Sequence, residues 1–75
     1  MLKIQNNKVK ITFNKLLYSK DNLLLAKRIY KNLCIVDIKE NNSYFIIHLQ
    51  PLDKNINSKT LALEFSNYIL SLHKI

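Results

Sequence analysis

The chain has 75 residues, enough for one domain with one small core but not for an enzyme that carries its own deep cleft. Hydrophobic residues make up 48% of it and charged residues 23%, which is a globular composition, and no stretch reaches the roughly 18 apolar residues that a membrane span needs. The formal net charge is +7, and the whole excess lies in residues 1–31. This asymmetry indicates a surface for nucleic acid, an anionic membrane or an acidic protein, or else a lysine-rich composition bias.

The chain contains no glycine, which excludes the glycine-rich loops that bind dinucleotides and phosphates. Its turns must be made by Asn, Asp, Ser or Pro, and we expect them at Asn6–Asn7, at Asn41–Ser43 and over residues 51–58. Lysines interrupt the N-terminus before any signal-peptide pattern forms, so we expect a cytoplasmic protein. The single cysteine, Cys34, heads an apolar run and is expected to be a small core residue.

Strict alternation of apolar and polar residues predicts a half-buried strand over residues 8–14. Its apolar face consists of Val9, Ile11 and Phe13. A further short strand over residues 1–4 would form a hairpin with it through Asn6–Asn7.

Ser19 is placed to cap a helix over residues 20–33, with Asp21 near the positive helix end. One side of this helix is apolar and is expected to enter the core; it carries Leu23, Ala26, Ile29, Tyr30 and Leu33, with Leu25 at its margin. The opposite side is a basic patch around Leu24, formed by Lys20, Lys27, Arg28 and Lys31.

Two β-rich runs, over residues 34–39 and 44–49, flank a four-residue connection from Glu40 to Ser43 and are expected to pair as an antiparallel hairpin. A polar loop then leads to the last helix, which is capped by either Ser58 or Thr60.

The last helix carries more apolar residues than one buried face needs. Its broad stripe consists of Leu61, Ala62, Phe65, Tyr68, Ile69 and Leu72. Leu63 and Leu70 are seven residues apart and lie together on the opposite side. This pair indicates a docking surface for a partner, or ordinary surface leucines that a small protein cannot bury.

These elements predict an α+β fold in β-α-β-β-α order, with a three-stranded sheet, a candidate extra strand at the N-terminus, and both helices on one face. We expect one binding domain over residues 1–75. The sheet would bury Val9, Ile11, Phe13, Val36, Ile38, Phe45, Ile47 and Leu49. Its other face would be open and would display Lys8, Lys10, Thr12, Asp37, Lys39, Tyr44, Ile46 and His48.

Catalytic chemistry is not expected from this chain. Its five carboxylates are scattered, and the two that lie three residues apart, Asp37 and Glu40, are in a predicted strand and the connection after it, not on one side of a helix. His48 and His73 lie in different elements without a neighbouring ligand, so we expect no metal and no cofactor. The open face instead indicates binding. With Tyr44 beside Lys8 and Lys10, it is similar to the sheets of proteins that bind single-stranded RNA. Two other possibilities are that an extended peptide pairs with an edge of the sheet, which needs no special side chains, and that the face is an ordinary solvated one.

A family resemblance rests on residues from three elements. They are Tyr18-Ser19 opening a helix with Ala26 and Tyr30, Leu49-Gln50-Pro51 ending a strand, and Ala62, Glu64, Phe65, Asn67 and Leu70 in the last helix. Through these residues the chain resembles the small HxsD proteins of His-Xaa-Ser peptide-modification systems. The resemblance covers about residues 9–73. The resemblance implies a non-catalytic partner or peptide chaperone for a radical-SAM enzyme that modifies a ribosomally made peptide. The chain departs from the family pattern after Leu70, where an acidic or arginine-containing ending is expected.

We therefore expect an accessory protein that binds a radical-SAM maturase, its precursor peptide, or both, without a membrane partner. The candidate partner surface is Leu63, Glu64, Asn67 and Leu70, and the candidate peptide surface is Lys8, Lys10, Tyr44, Ile46 and His48. Homodimerisation through Leu63 and Leu70 is a competing explanation of the leucine pair. The alternative function is a small nucleic-acid-binding protein that uses the basic first half.

Overall fold

The computed structural model describes residues 2–5 and 7–72. They form six elements in chain order: β1 (Leu2–Gln5), β2 (Lys8–Asn14), α1 (Lys20–Ile29), β3 (Cys34–Glu40), β4 (Tyr44–Pro51) and α2 (Ser58–Leu72). The sheet order is β1-β2-β4-β3, and every neighbouring pair is antiparallel. Strands β2 and β3 therefore run parallel with β4 between them, and α1 is the crossover that connects them.

This architecture confirms the predicted α+β class and the β-α-β-β-α order. The candidate N-terminal strand is present as β1 and extends the sheet to four strands, with Gln5 opposite Lys8 across a short turn. The turn residue Asn7 has a φ of 64°, a left-handed conformation that Asn tolerates better than most residues do. Met1 and Asn6, which also belong to this prediction, lie outside the described residues.

One core lies between the sheet and the two helices. Both helices pack on the face of the sheet that the alternation pattern predicts, with α2 against β2 and β4 and α1 against α2. Tyr30 of α1 meets Phe65 of α2 edge to face, with ring centroids 5.3 Å apart. The fully buried large side chains are Val9, Leu23, Ile47, Leu49, Phe65 and Ile69.

Ile38 packs against the core as predicted but is only half-buried, since it lies toward the far end of the edge strand β3, whereas Cys34 and Val36 earlier in the strand are buried. The sequence pattern identifies which face of a strand is apolar, whereas the position of that strand in the sheet depends on the topology. The connection after β3 is also one residue shorter than predicted. Glu40 is its last strand residue, and the Asn41 side-chain oxygen accepts hydrogen bonds from the Ser43 and Tyr44 amides, both at 2.8 Å.

Helix α1 begins as predicted and ends earlier. The Ser19 hydroxyl accepts a hydrogen bond from the Asn22 amide at 3.2 Å, which confirms the predicted cap. The helix ends at Ile29, not at residue 33, because the Tyr30 carbonyl accepts the amides of Leu33 and Cys34 and turns the chain into β3. Ile29 and Leu33 were predicted to be core residues and are exposed, so α1 buries only Leu23 and Ala26, with Tyr30 half-buried.

Helix α2 begins with a different cap from the two predicted. The side-chain oxygen of Asn57 accepts the Thr60 amide at 3.0 Å, and its carbonyl accepts the Leu61 amide at 3.0 Å. Ser58 is already the first helical residue, and Thr60 supplies the donor instead of the acceptor. The predicted apolar stripe is correct, with Leu61, Ala62, Phe65 and Ile69 buried and Tyr68 and Leu72 half-buried.

Candidate interaction surfaces

The outer side of α2 exposes the leucine pair that the sequence singled out. The Leu63 residue is 49% exposed and the Leu70 residue 55% exposed. They lie two turns apart along the helix, a spacing of about 10 Å, and Asn67 lies between them on the same side. We call Leu63, Asn67 and Leu70 the α2 stripe. It is a narrow apolar surface that the core does not use.

Glu64 lies one turn before Asn67 and flanks the α2 stripe. It lies toward the end of α1, where burial, and after it the negative charge of Glu64, raises the pKa of the Tyr30 hydroxyl. Within the described part of the chain, Glu64 and Asn67 make no hydrogen bond to each other. The predicted residues therefore lie along one side of α2, with Glu64 at its margin, near enough to Tyr30 for its charge to act on that hydroxyl.

The open face of the sheet carries the residues predicted for it, but it does not bring all of them together. The strand register places Lys10 beside His48 and His48 beside Asp37, while Ile46 lies next to Lys39 in the adjacent row. The Asp37 carboxylate is 4.0 Å from both the His48 Nδ1 and the Lys39 Nζ. These groups, with Lys8, Ile35, Leu49 and Gln50, line a shallow depression of about 270 Å³. The prediction that Tyr44 lies beside Lys8 and Lys10 is wrong, because the register pairs exposed Tyr44 with Asn14 at the other end of β4.

The residues of the predicted basic patch lie along α1 and in the turn that follows it. Lys20 lies at the first turn of α1 and forms an ion pair with Glu40 at 2.8 Å. Lys27 and Arg28 lie in the last turn, where positive charge is favoured by the helix dipole. Lys31 lies beyond the helix end in the turn toward β3. The ion pair of Lys20 and the helix-end positions of Lys27 and Arg28 thus give these three residues structural roles.

An exposed apolar pair that the sequence pattern does not predict lies in the turn between β2 and α1. Leu16 is 92% exposed and Leu17 is 57% exposed, although the turn is well hydrogen-bonded. Asn14 organises it: its side chain accepts the Leu16 amide at 2.8 Å and its carbonyl accepts the amides of Leu17 and Tyr18. An available signal was the Asn at the end of the β2 pattern, since Asn side chains commonly start such turns.

The described residues contain no group of three or more His, Cys, Asp or Glu side chains that could hold a metal ion. Cys34 is buried and its thiol lies 3.6 Å from the Tyr30 carbonyl oxygen. Burial raises the pKa of this thiol, so it stays protonated near neutral pH. None of the described helices has the length and apolar character required to cross a bilayer. His73 lies outside the described residues.

Comparison with known proteins finds no match for this chain among family models, curated proteins or solved structures. The resemblance to HxsD proteins therefore stays a prediction from the residues that carry it.

Proposed function

We propose that this protein is a non-catalytic accessory component of a peptide-modification system. In this proposal it works in the cytoplasm and binds a radical-SAM maturase, its ribosomally made precursor peptide, or both. The observation that carries the proposal is the exposure of Leu63 and Leu70 on α2, a helix whose other side already supplies the core. The family resemblance supplies the identity of the partner.

The physical basis of binding is the burial of the α2 stripe. Two half-exposed leucines that lose the rest of their accessible surface on docking each contribute on the order of 1 kcal/mol. Asn67 between them offers an amide that can donate and accept hydrogen bonds at the same contact. Because neither leucine belongs to the buried core, both can be changed without removing core contacts.

The alternative function, nucleic-acid binding, draws support from the open face of the sheet. Lys8, Lys10 and Lys39 share that face with Tyr44 and the single acid Asp37. In such binding the lysines would contact phosphates, while Tyr44, toward the other end of β4, would stack on a base farther along the nucleic acid. Such binding weakens steeply with salt because bound counterions must return to the nucleic acid.

The experiment is an affinity capture from native cell lysate with three forms of the chain, each with and without nuclease treatment. The forms are the wild type, Leu63→Asp/Leu70→Asp, and the control Leu24→Asp, which changes an exposed leucine on α1. We expect the wild type and the control to retain an iron–sulfur enzyme or its precursor peptide regardless of nuclease, and the double variant to lose it. Recovery of RNA or DNA alone, abolished by nuclease, would establish the alternative instead.

A further inference from the structure

The outer edge of β3 pairs with no other strand among the described residues. Strand β3 pairs with β4 on one side and is the last strand of the sheet on the other. It is seven residues long and contains no proline. Long edge strands offer backbone groups to any strand that can align with them, and proteins that remain monomeric usually shield such edges.

Two hydrogen bonds show which backbone groups of β3 point outward. The Leu33 carbonyl accepts the Leu52 amide at 3.0 Å, and the Asn41 amide donates to the Tyr44 carbonyl at 3.0 Å. Both pairs continue the β3–β4 register at its two ends. Since bonded and non-bonded pairs alternate along an antiparallel ladder, the odd-numbered residues of β3 direct their N–H and C=O groups toward β4.

The even-numbered residues of β3 therefore direct their N–H and C=O groups to the free edge. The Cys34 amide is already used, because it donates to the Tyr30 carbonyl at 3.1 Å. Val36, Ile38 and Glu40 keep outward N–H and C=O groups that no residue within 2–5 or 7–72 bonds. These three residues offer a short row of unpaired backbone groups, to which another antiparallel strand can bond.

We propose that a second copy of this chain occupies the edge, with β3 pairing antiparallel to its own copy about a two-fold axis at Ile38. In this register the outward groups of Ile38 bond those of Ile38 in the second copy. The outward groups of Val36 bond those of Glu40 in the second copy. The two four-stranded sheets become one continuous sheet with all helices on one face.

Charge selects this register over its neighbours. Asp37 and Lys39 both lie exposed on the open face of the sheet. In the register centred on Ile38, each Asp37 lies opposite Lys39 of the second copy in a non-bonded pair, where Cα atoms are about 4.5 Å apart. A register centred on Asp37 would place two aspartates opposite each other. One centred on Val36 would place Asp37 opposite Ile35. Only the register centred on Ile38 gives two pairs of opposite charge, each formed by Asp37 of one copy and Lys39 of the other.

The pairing would also join the two open faces. Asp37 and Lys39 line the depression that contains His48, so two such depressions would meet across the two-fold axis. This inference does not depend on the function proposed above, since that function rests on the α2 stripe on a different part of the surface.

The test is sedimentation of purified single-charge variants, separately and mixed. Asp37→Lys leaves lysines at both 37 and 39, and Lys39→Asp leaves aspartates at both, so each variant should repel its own copy and sediment as a monomer. An equimolar mixture should form a heterodimer, and the double variant Asp37→Lys/Lys39→Asp should self-associate like the wild type. Asp53→Lys is the control, because it makes the same charge change in the exposed loop before α2. It should stay dimeric, as should Leu63→Asp/Leu70→Asp.

A wild type that remains monomeric at the highest accessible concentration would overturn the proposal, as would single variants that self-associate like the wild type. A dimer lost in Leu63→Asp/Leu70→Asp and retained in the β3 variants would place the contact on the α2 stripe and overturn it as well. Circular dichroism of each variant confirms that the fold is kept, which is expected because every changed side chain is exposed.

Discussion

The Lys15 ammonium lies 2.8 Å from one carboxylate oxygen of Glu40, which joins the turn before α1 to the last residue of β3. The other oxygen of Glu40 lies 2.8 Å from Lys20 in the first turn of α1. The Lys15 amide also donates to the Ser43 carbonyl at 3.0 Å. Glu40 thus connects the β2–α1 turn, the start of α1 and the end of β3. It also neutralises the charge of Lys20 at the N-terminal end of a helix, where positive charge is unfavourable.

We predict that Glu40 makes folding stability depend on pH in acid. The hydrogen bond from Lys15, followed by that from Lys20, lowers the pKa of the Glu40 carboxyl from 4.5 to about 2. A carboxyl whose pKa is depressed by folding contributes fully above its unfolded pKa, and the contribution is lost as the pH falls to about 2. Glu40→Gln should therefore be less stable than the wild type at pH 7, with a modest difference because the group is exposed.

Urea unfolding at a series of pH values from 7 to about 2 measures this difference. The two curves should converge as the pH falls through the window set by the two pKa values, and high salt should reduce the gap at neutral pH because it screens exposed charges. A gap that stays constant across the pH range would show that the ion pairs do not stabilise the fold.

Much of the fold follows from local patterns. Alternation in β2, the Ser19 cap and the stripe of α2 each depend on neighbours within one element, and all three agree with the structure. The end of α1 at Ile29 depends on where the chain must turn. The half-buried position of Ile38 depends on where its strand lies in the sheet. Those are properties of the assembled sheet, which a pattern within one element does not contain.

The candidate surfaces were predictable to a similar degree. Leu63 and Leu70 were identifiable because a helical period fixes their side, and the open face because strands alternate. The proximity of Glu64 to Tyr30 depends on where α1 ends. The exposure of Leu16 depends on a turn made by Asn14, and the free edge of β3 depends on strand order. None of these three could be derived from periodicity.

The cap of α2 gives a second prediction. Asn57→Ala should lower the free energy of unfolding by about 1 kcal/mol, because the Thr60 amide loses its acceptor at the helix start. Asn57→Asp should retain most of the stability, since Asp caps equally well. Ser58→Ala and Thr60→Ala are matched controls inside the same turn and should change the free energy much less. Chemical denaturation of the four variants provides the measurement, and a larger loss at Ser58 or Thr60 would contradict the assigned cap.

Two neighbouring positions of α2 give a third prediction. Phe65 is fully buried against Tyr30, whereas Leu63 two residues earlier is half exposed. Phe65→Ala should cost about 3–5 kcal/mol, most of the stability that a domain of this size has, and should leave the chain largely unfolded. Leu63→Ala should cost less than about 1 kcal/mol. Thermal unfolding followed by circular dichroism distinguishes them, and comparable losses at both positions would mean that Leu63 is a core residue.

The central claim is that the α2 stripe binds a partner and does not hold the fold together. The most direct measurement is the affinity of the captured partner for the wild type and for Leu63→Asp/Leu70→Asp, with the free energy of unfolding of both forms measured alongside. We predict a loss of affinity on the order of 100-fold or more, because two carboxylates would be desolvated in the contact, with little change in stability. Unchanged affinity, or a loss of stability large enough to account for the lost binding, would contradict the account.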